Sequence, residues 1–293
     1  MLILHIVEIV FPLIAVVSVG ALAGWHHQPE MEVANRLNMD YFVPALIFGV
    51  LAEGDFRIVQ FAGLAFGTFI LISGFGIVGL VTAKLSGVKT RTLVPPMMFN
   101  NCGNLGLPLA LLAFGQSAMP AAVVMFLVST TLHFSFGVWL LNHQARLRDL
   151  WKIPVLFSAV LGLCFNYFGI HIWTPLMTAV HLLGEVSVPL MMFALGVKLA
   201  DISLDRSYLG ILIAVMRPVA GIVIAYLVGM WLNLVDVERA QLIMFGSLPP
   251  AVLNYIFAER YSQEPEKVAS IVMIGNVSAV ISIPLALMLV LPH

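Results

Sequence analysis

The stretch Pro95-Pro-Met-Met-Phe-Asn-Asn-Cys-Gly-Asn-Leu-Gly-Leu-Pro108 sets three prolines, two glycines and three asparagines inside an otherwise apolar run. Proline lacks an amide donor and its ring clashes one turn back, so Pro95, Pro96 and Pro108, with Gly103 and Gly106, predict a helix that breaks. Backbone groups freed in an oily interior are costly, and irregular backbone survives there only where protein or a wet cavity satisfies it. Asn100, Asn101 and Asn104 each offer donors and an acceptor, so they can mend that backbone or hold a small polar ligand. A plain kink needs one proline and no asparagine cluster, which favours the ligand. A second stretch, Pro249-Pro-Ala-Val-Leu-Asn254, repeats the scheme with Pro249, Pro250 and Asn254. The start of a half-helix carries positive partial charge, so two broken helices that meet favour an anion such as a carboxylate.

Three ionisable residues lie at depth in apolar runs. Arg217, followed by Pro218, can clamp an anion with its planar fork; it can equally pair with Glu185 or with carbonyls freed by Pro218. His133 and Glu185 are candidates for coupling through a change of protonation, against the plainer role of bonding neighbouring helices. Ser129, Thr130, Thr131, Asn276 and Ser278 can line the same cavity or tie helices together. Cys102 and Cys164 read as small buried hydrophobes, without disulfide or zinc spacing, and no metal site is expected. No His-x-x-x-His pair, paired aspartates or phosphate loop occurs in the apolar runs, so neither an enzyme nor direct nucleotide use is expected. No cofactor is expected. Coupling to Na+ through carbonyl, Asn and Ser/Thr oxygens, or to H+ through Glu185 or His133, stays open.

The elements that must position these residues are membrane helices. Of 293 residues 61% are hydrophobic and 10% charged, and the mean hydropathy is +1.02, far from the quarter-charged composition of soluble chains. The fitting solvent is a lipid bilayer. A net charge of -1 leaves no basic field for nucleic acid. The first twelve residues contain Glu8 and no Lys or Arg, so the segment reads as a retained helix rather than a signal peptide. Ten runs near spanning length are expected at 3–25, 38–52, 58–83, 92–115, 119–141, 153–170, 172–198, 207–232, 239–259 and 267–291. Alternate connections then carry eleven basic residues (Arg36, Lys84, Lys89, Arg91, Arg146, Arg148, Lys152, Lys198, Arg206, Arg260, Lys267), against Arg57 and Arg239 on the other side. Such an asymmetry marks the cytoplasmic side and puts both termini outside the cytoplasm.

Val43-Pro-Ala-Leu-Ile-Phe48 in helix 2 matches Val188-Pro-Leu-Met-Met-Phe193 in helix 7, and Pro95…Asn100 in helix 4 matches Pro249…Asn254 in helix 9. The matches fall five helices apart. An odd number inverts the second half, so the expected fold class is all-α integral membrane: ten transmembrane helices as a 5+5 inverted repeat, with discontinuous helices 4 and 9 meeting at the midplane. The repeats are 1–141 and 153–293, joined by a cytoplasmic linker 142–152.

Asn101-Cys-Gly-Asn-Leu-Gly-Leu-Pro108 resembles the N-x-G-N-x-G-x-P signature of the auxin efflux carrier family, and Pro249-Pro250…Asn254 and the ten-helix layout agree with it. The resemblance implies a fold related to bile-acid sodium symporters, with crossed discontinuous helices 4 and 9 in a transport core of helices 3–5 and 8–10, and helices 1, 2, 6 and 7 as scaffold. It further implies alternating access, a homodimer through the scaffold, and small organic anions, malate- or malonate-like, as substrates in the plasma (inner) membrane. The long hydrophilic loop of the plant hormone exporters is missing here, which points to a compact bacterial-type permease. The competing reading is a substrate-gated channel or receptor using the same cleft.

Overall fold

The computed structural model describes residues 2–53, 58–142, 152–200 and 208–291. Arg57, Arg146, Arg148 and Arg206, and most of the 142–152 linker, lie outside the described residues. The remainder is all-helical: α1 (Leu2–His27), α2 (Met31–Leu37), α3 (Val43–Ala52), α4 (Ala62–Ser86), α5 (Thr90–Met98), α6 (Leu107–Phe114), α7 (Met119–Leu132), α8 (Val138–Leu141), α9 (Pro154–Tyr167), α10 (Thr174–Ala200), α11 (Tyr208–Trp231), α12 (Asp236–Ser247), α13 (Leu253–Arg260) and α14 (Pro265–Val290).

Helical structure covers each apolar run named above. π-helical turns join α2 to α3 through Asn38–Phe42 and α7 to α8 through His133–Gly137, so each pair is one continuous rod. The second run therefore starts at Met31 rather than residue 38. Among the described residues, six helical runs are by length and composition able to cross a membrane: Ile3–His27, Val59–Ser86, Gln116–Leu141, Thr174–Ala200, Tyr208–Trp231 and Pro265–Val290. With its apolar surface, this is a multi-pass membrane protein. Large apolar side chains such as Phe11, Trp25, Ile77, Val215 and Leu289 stand exposed around these helices, as a lipid-facing surface requires.

Packing sorts the helices into two groups. In one, α1 lies along α10, and α3 lies against α9 and α10; in the other, α11 packs on α12, α14 and α4, while α4 also packs on α5 and α7. Small residues allow the closest approaches. A side chain at Gly20 would strike the Phe193 carbonyl, and one at Gly196 the Val17 carbonyl, so α1 and α10 touch backbone to backbone. Gly221 and Gly246 bring α11 onto the end of α12 in the same way. Without a hydrophobic drive between helices in lipid, such close contact is what holds them.

Candidate functional site

α5 leaves helical geometry at Phe99 (φ -102°, ψ 114°), and the chain re-enters through a π-helical turn, Cys102–Gly106, that runs into α6. Pro95 and Pro96 sit inside α5, one turn before the break, and Gly103 and Gly106 lie in the π-turn. Pro108 is the second residue of α6, which the π-turn enters without a break. The second break follows Ser247: Leu248 is extended (φ -61°, ψ 145°), Pro249 and Pro250 lie in the gap, and α13 begins at Leu253.

The two breaks are bonded to each other. Asn100 and Pro250 form an isolated antiparallel bridge, in which the Asn101 amide donates to the Pro249 carbonyl (2.8 Å) and the Ala251 amide to the Phe99 carbonyl (3.0 Å). Asparagine side chains complete the repair. Asn100 Nδ2 donates to the Phe245 carbonyl at 2.7 Å, and Asn254 Nδ2 to the carbonyls of Phe99 and Ala251 at 3.0 and 2.9 Å. Asn101 Nδ2 donates to Asn276 Oδ1 at 2.9 Å. Asn276 in turn donates to the carbonyls of Pro250 and Val272 at 2.9 and 2.8 Å. Asn276 thereby ties α14 to both breaks. In the sequence it is one of several polar residues able to line the cavity, and the signal of its larger part is a single asparagine beside Gly275 in an apolar span.

All four of these asparagines are buried. Asn100 Oδ1 nevertheless has no donor, so a carbonyl acceptor is held at the breaks with its hydrogen-bonding capacity unused. Asn104 is half-buried on the π-turn. His133 stacks on Phe99 with ring centroids 4.1 Å apart and meets Phe257 of α13 edge-on at 5.3 Å, so its ring braces one residue from each broken helix. Its imidazole also lies within hydrogen-bonding reach of the Asn254 side chain.

Arg217 is fully buried, with its guanidinium 4.5 Å above the Phe75 ring. None of its three guanidinium nitrogens has a hydrogen-bond partner. The residue lines a narrow cleft with Ser247, Pro249, Pro250, Ser278 and Ser282, directly beside the second break. The end of α12 offers it negative partial charge, and the ring face adds a cation–π contact. Pairing with Glu185 does not occur: Glu185 is exposed on α10, outside this cluster. Ser129 and Thr130 are buried and Thr131 half-buried on α7, and Ser278 belongs to the Arg217 cleft. Cys102 is buried as expected, whereas Cys164 is exposed on α9. Exposure in a membrane helix means contact with lipid or a neighbouring subunit, so an apolar sequence context does not by itself bury a residue.

On the other face of α14 lies an open cavity of about 170 Å³, between α1 and α10 on one side and α6 and α14 on the other. Leu13, Val17, Leu105, Leu109 and Leu195 make its apolar walls, and Asn276 gives it a polar edge next to the breaks. Among the described residues no cluster of His, Cys, Asp or Glu could hold a metal ion.

Broken helices that repair each other with asparagines, inside a bundle of membrane-spanning helices, define a membrane transport protein. The family described as Membrane transport protein matches residues 137–287, and the chain belongs to it, the auxin efflux carrier family. It is 23% identical to an uncharacterized transporter of Methanocaldococcus jannaschii, over 96% of this chain and 97% of that protein. It is also 22% identical to a Rhizobium meliloti protein named "Putative malonate transporter", over 95% of this chain and 94% of that protein. Both relatives are named as transporters.

Proposed function

We propose that this protein is a secondary carrier of small carboxylates, which it holds where the two breaks meet and exposes alternately to the two sides of the membrane. One observation carries the reading. The Asn100–Pro250 bridge and the asparagines around it put two interrupted helices back to back at a polar point in an oily bundle. Asn100, Asn101, Asn104 and Asn254 are the binding residues in this reading, and Arg217 offsets the charge of the anion. The name of the Rhizobium relative supports a malonate- or malate-like acid.

The proposal extends to architecture. The chain crosses ten times as a 5+5 inverted repeat, residues 1–141 and 153–293, with helices 4 (α5 and α6) and 9 (α12 and α13) crossed. The group α1, α3, α9 and α10 is the scaffold and carries a homodimer interface; the group built on α4–α8 and α11–α14 is the moving core of an elevator. The separate packing of the two groups and the cavity between them support that division. The protein sits in the plasma (inner) membrane with both termini outside the cytoplasm. Coupling to sodium would draw on the Asn100 and Asn254 oxygens, and coupling to protons on His133. Glu185, which stands exposed on α10, is the second candidate for proton coupling.

Uptake of labelled malonate into proteoliposomes tests the reading. Asn101→Ala and Asn254→Ala should each abolish saturable uptake and counterflow while the purified variants still melt cooperatively. Wild-type uptake in both would remove the meeting point from the mechanism. Flux that never saturates and shows no counterflow would favour the channel reading.

A further inference from the structure

The charge at the meeting point can be counted. Two half-helices end there, α5 and α12, and two begin, the turn at Cys102 leading into α6 and the start of α13. Each end contributes about half a charge, negative at the two ends and positive at the two starts. To first order these cancel. What is left is Arg217, the one side chain with a permanent charge that is buried among the described residues. The other titratable groups buried nearby are Cys102 and His133; Phe75 of α4, Ser247 at the end of α12 and Ser278 and Ser282 of α14 face the guanidinium without charge. The site therefore holds one net positive charge.

A singly charged anion neutralises that charge. A dianion brings an excess negative charge into low dielectric, where an unpaired charge is strongly disfavoured. Hydrogen bonding narrows the ligand further. Asn100 Oδ1 is a buried acceptor without a donor, and a buried acceptor left unmatched costs the full desolvation of that group. A fully ionised dicarboxylate has only acceptors to offer. An acid with one carboxylate and one O–H or N–H donor satisfies both requirements.

Resting on the carrier reading above, we propose that the site takes singly charged acids that also carry a hydrogen-bond donor. The class comprises half-neutralised dicarboxylic acids, hydroxy acids and amide acids, and it excludes dianions. Malonate would then be carried as hydrogen malonate.

A series of nearly equal shape tests this at one pH, high enough that malonate is a dianion: malonamide (neutral), malonamate (one charge) and malonate (two charges). Binding to the purified full-length protein is measured by calorimetry in choline and in sodium buffers. The expected order places malonamate first, at least about tenfold tighter than either neighbour, in both buffers. In Arg217→Gln the preference should move to the neutral malonamide, while Arg217→Lys should keep malonamate first. Malonate binding as tightly as malonamate would overturn the proposal, and so would a sodium-dependent switch to malonate, since a bound sodium ion would raise the site to two positive charges. If Arg217→Gln does not fold, the wild-type order alone decides. Failure of every member of the series to bind, together with unchanged uptake in the asparagine variants, would instead remove the meeting point as the binding site, the reading on which this proposal rests.

Discussion

Arg217 has no acceptor for any guanidinium nitrogen and yet is fully buried. An unpaired buried donor costs about 1–3 kcal/mol, and more when charged. Such a residue opposes folding, so its retention calls for a reason outside stability. Arg217→Met fills similar space without the unmet donors and should raise the unfolding free energy by about 1–3 kcal/mol, read as a higher melting temperature in detergent. Carboxylate uptake by the same variant should fall to background. A lower melting temperature would mean that the Phe75 ring and the end of α12 more than offset the unmet donors. Its depth and the proline after it were legible in the sequence. What sequence could not give was its partner, because Glu185 lies on a helix whose rotation places it outward, and rotation is set by packing rather than by local pattern. The asparagines divide in the same way. Asn100, Asn101 and Asn254 announced themselves by their prolines, whereas Asn276, which bonds both breaks, sits in an unbroken helix and was visible only as a lone polar residue.

Helix breaks were the most legible elements, since proline chemistry is local. Even so, the first break falls at Phe99–Asn101 rather than at Pro95 and Pro96, which remain inside α5. The missing amides of those prolines weaken the turn that precedes the break, and the bonds to the second broken helix decide where the chain opens. Contact between α1 and α10 was not legible, because glycines in an apolar run give no sign of which neighbour they admit. Any side chain at Gly196 meets the Val17 carbonyl and the Ala21 amide nitrogen. Gly196→Val must therefore push two long helices apart, with an expected loss of about 1–3 kcal/mol typical of overpacking, measurable by thermal unfolding of the purified variant. A melting temperature equal to wild type would show that the two helices can separate without penalty.

At the scale of the whole molecule, composition already fixed the solvent, and the positions of the prolines pointed to two halves built alike. The division of helices into two packed groups needed coordinates, since it depends on which faces meet across hundreds of residues. A cavity lies along that division and is bounded by both groups, with Asn276 at its edge. The group that holds the breaks also holds Arg217, on α11.

That placement has an electrical consequence. If the group carrying the site travels through the membrane, the unoccupied form transports one positive charge across the voltage, and the form loaded with a singly charged acid transports none. A potential of 100 mV then acts on the return step with about 2.3 kcal/mol per full charge moved. Voltage steps applied to substrate-free protein on a solid-supported or planar bilayer should elicit transient capacitive currents, which saturating substrate suppresses. Currents of equal size with and without substrate would mean that Arg217 stays still while its cargo passes.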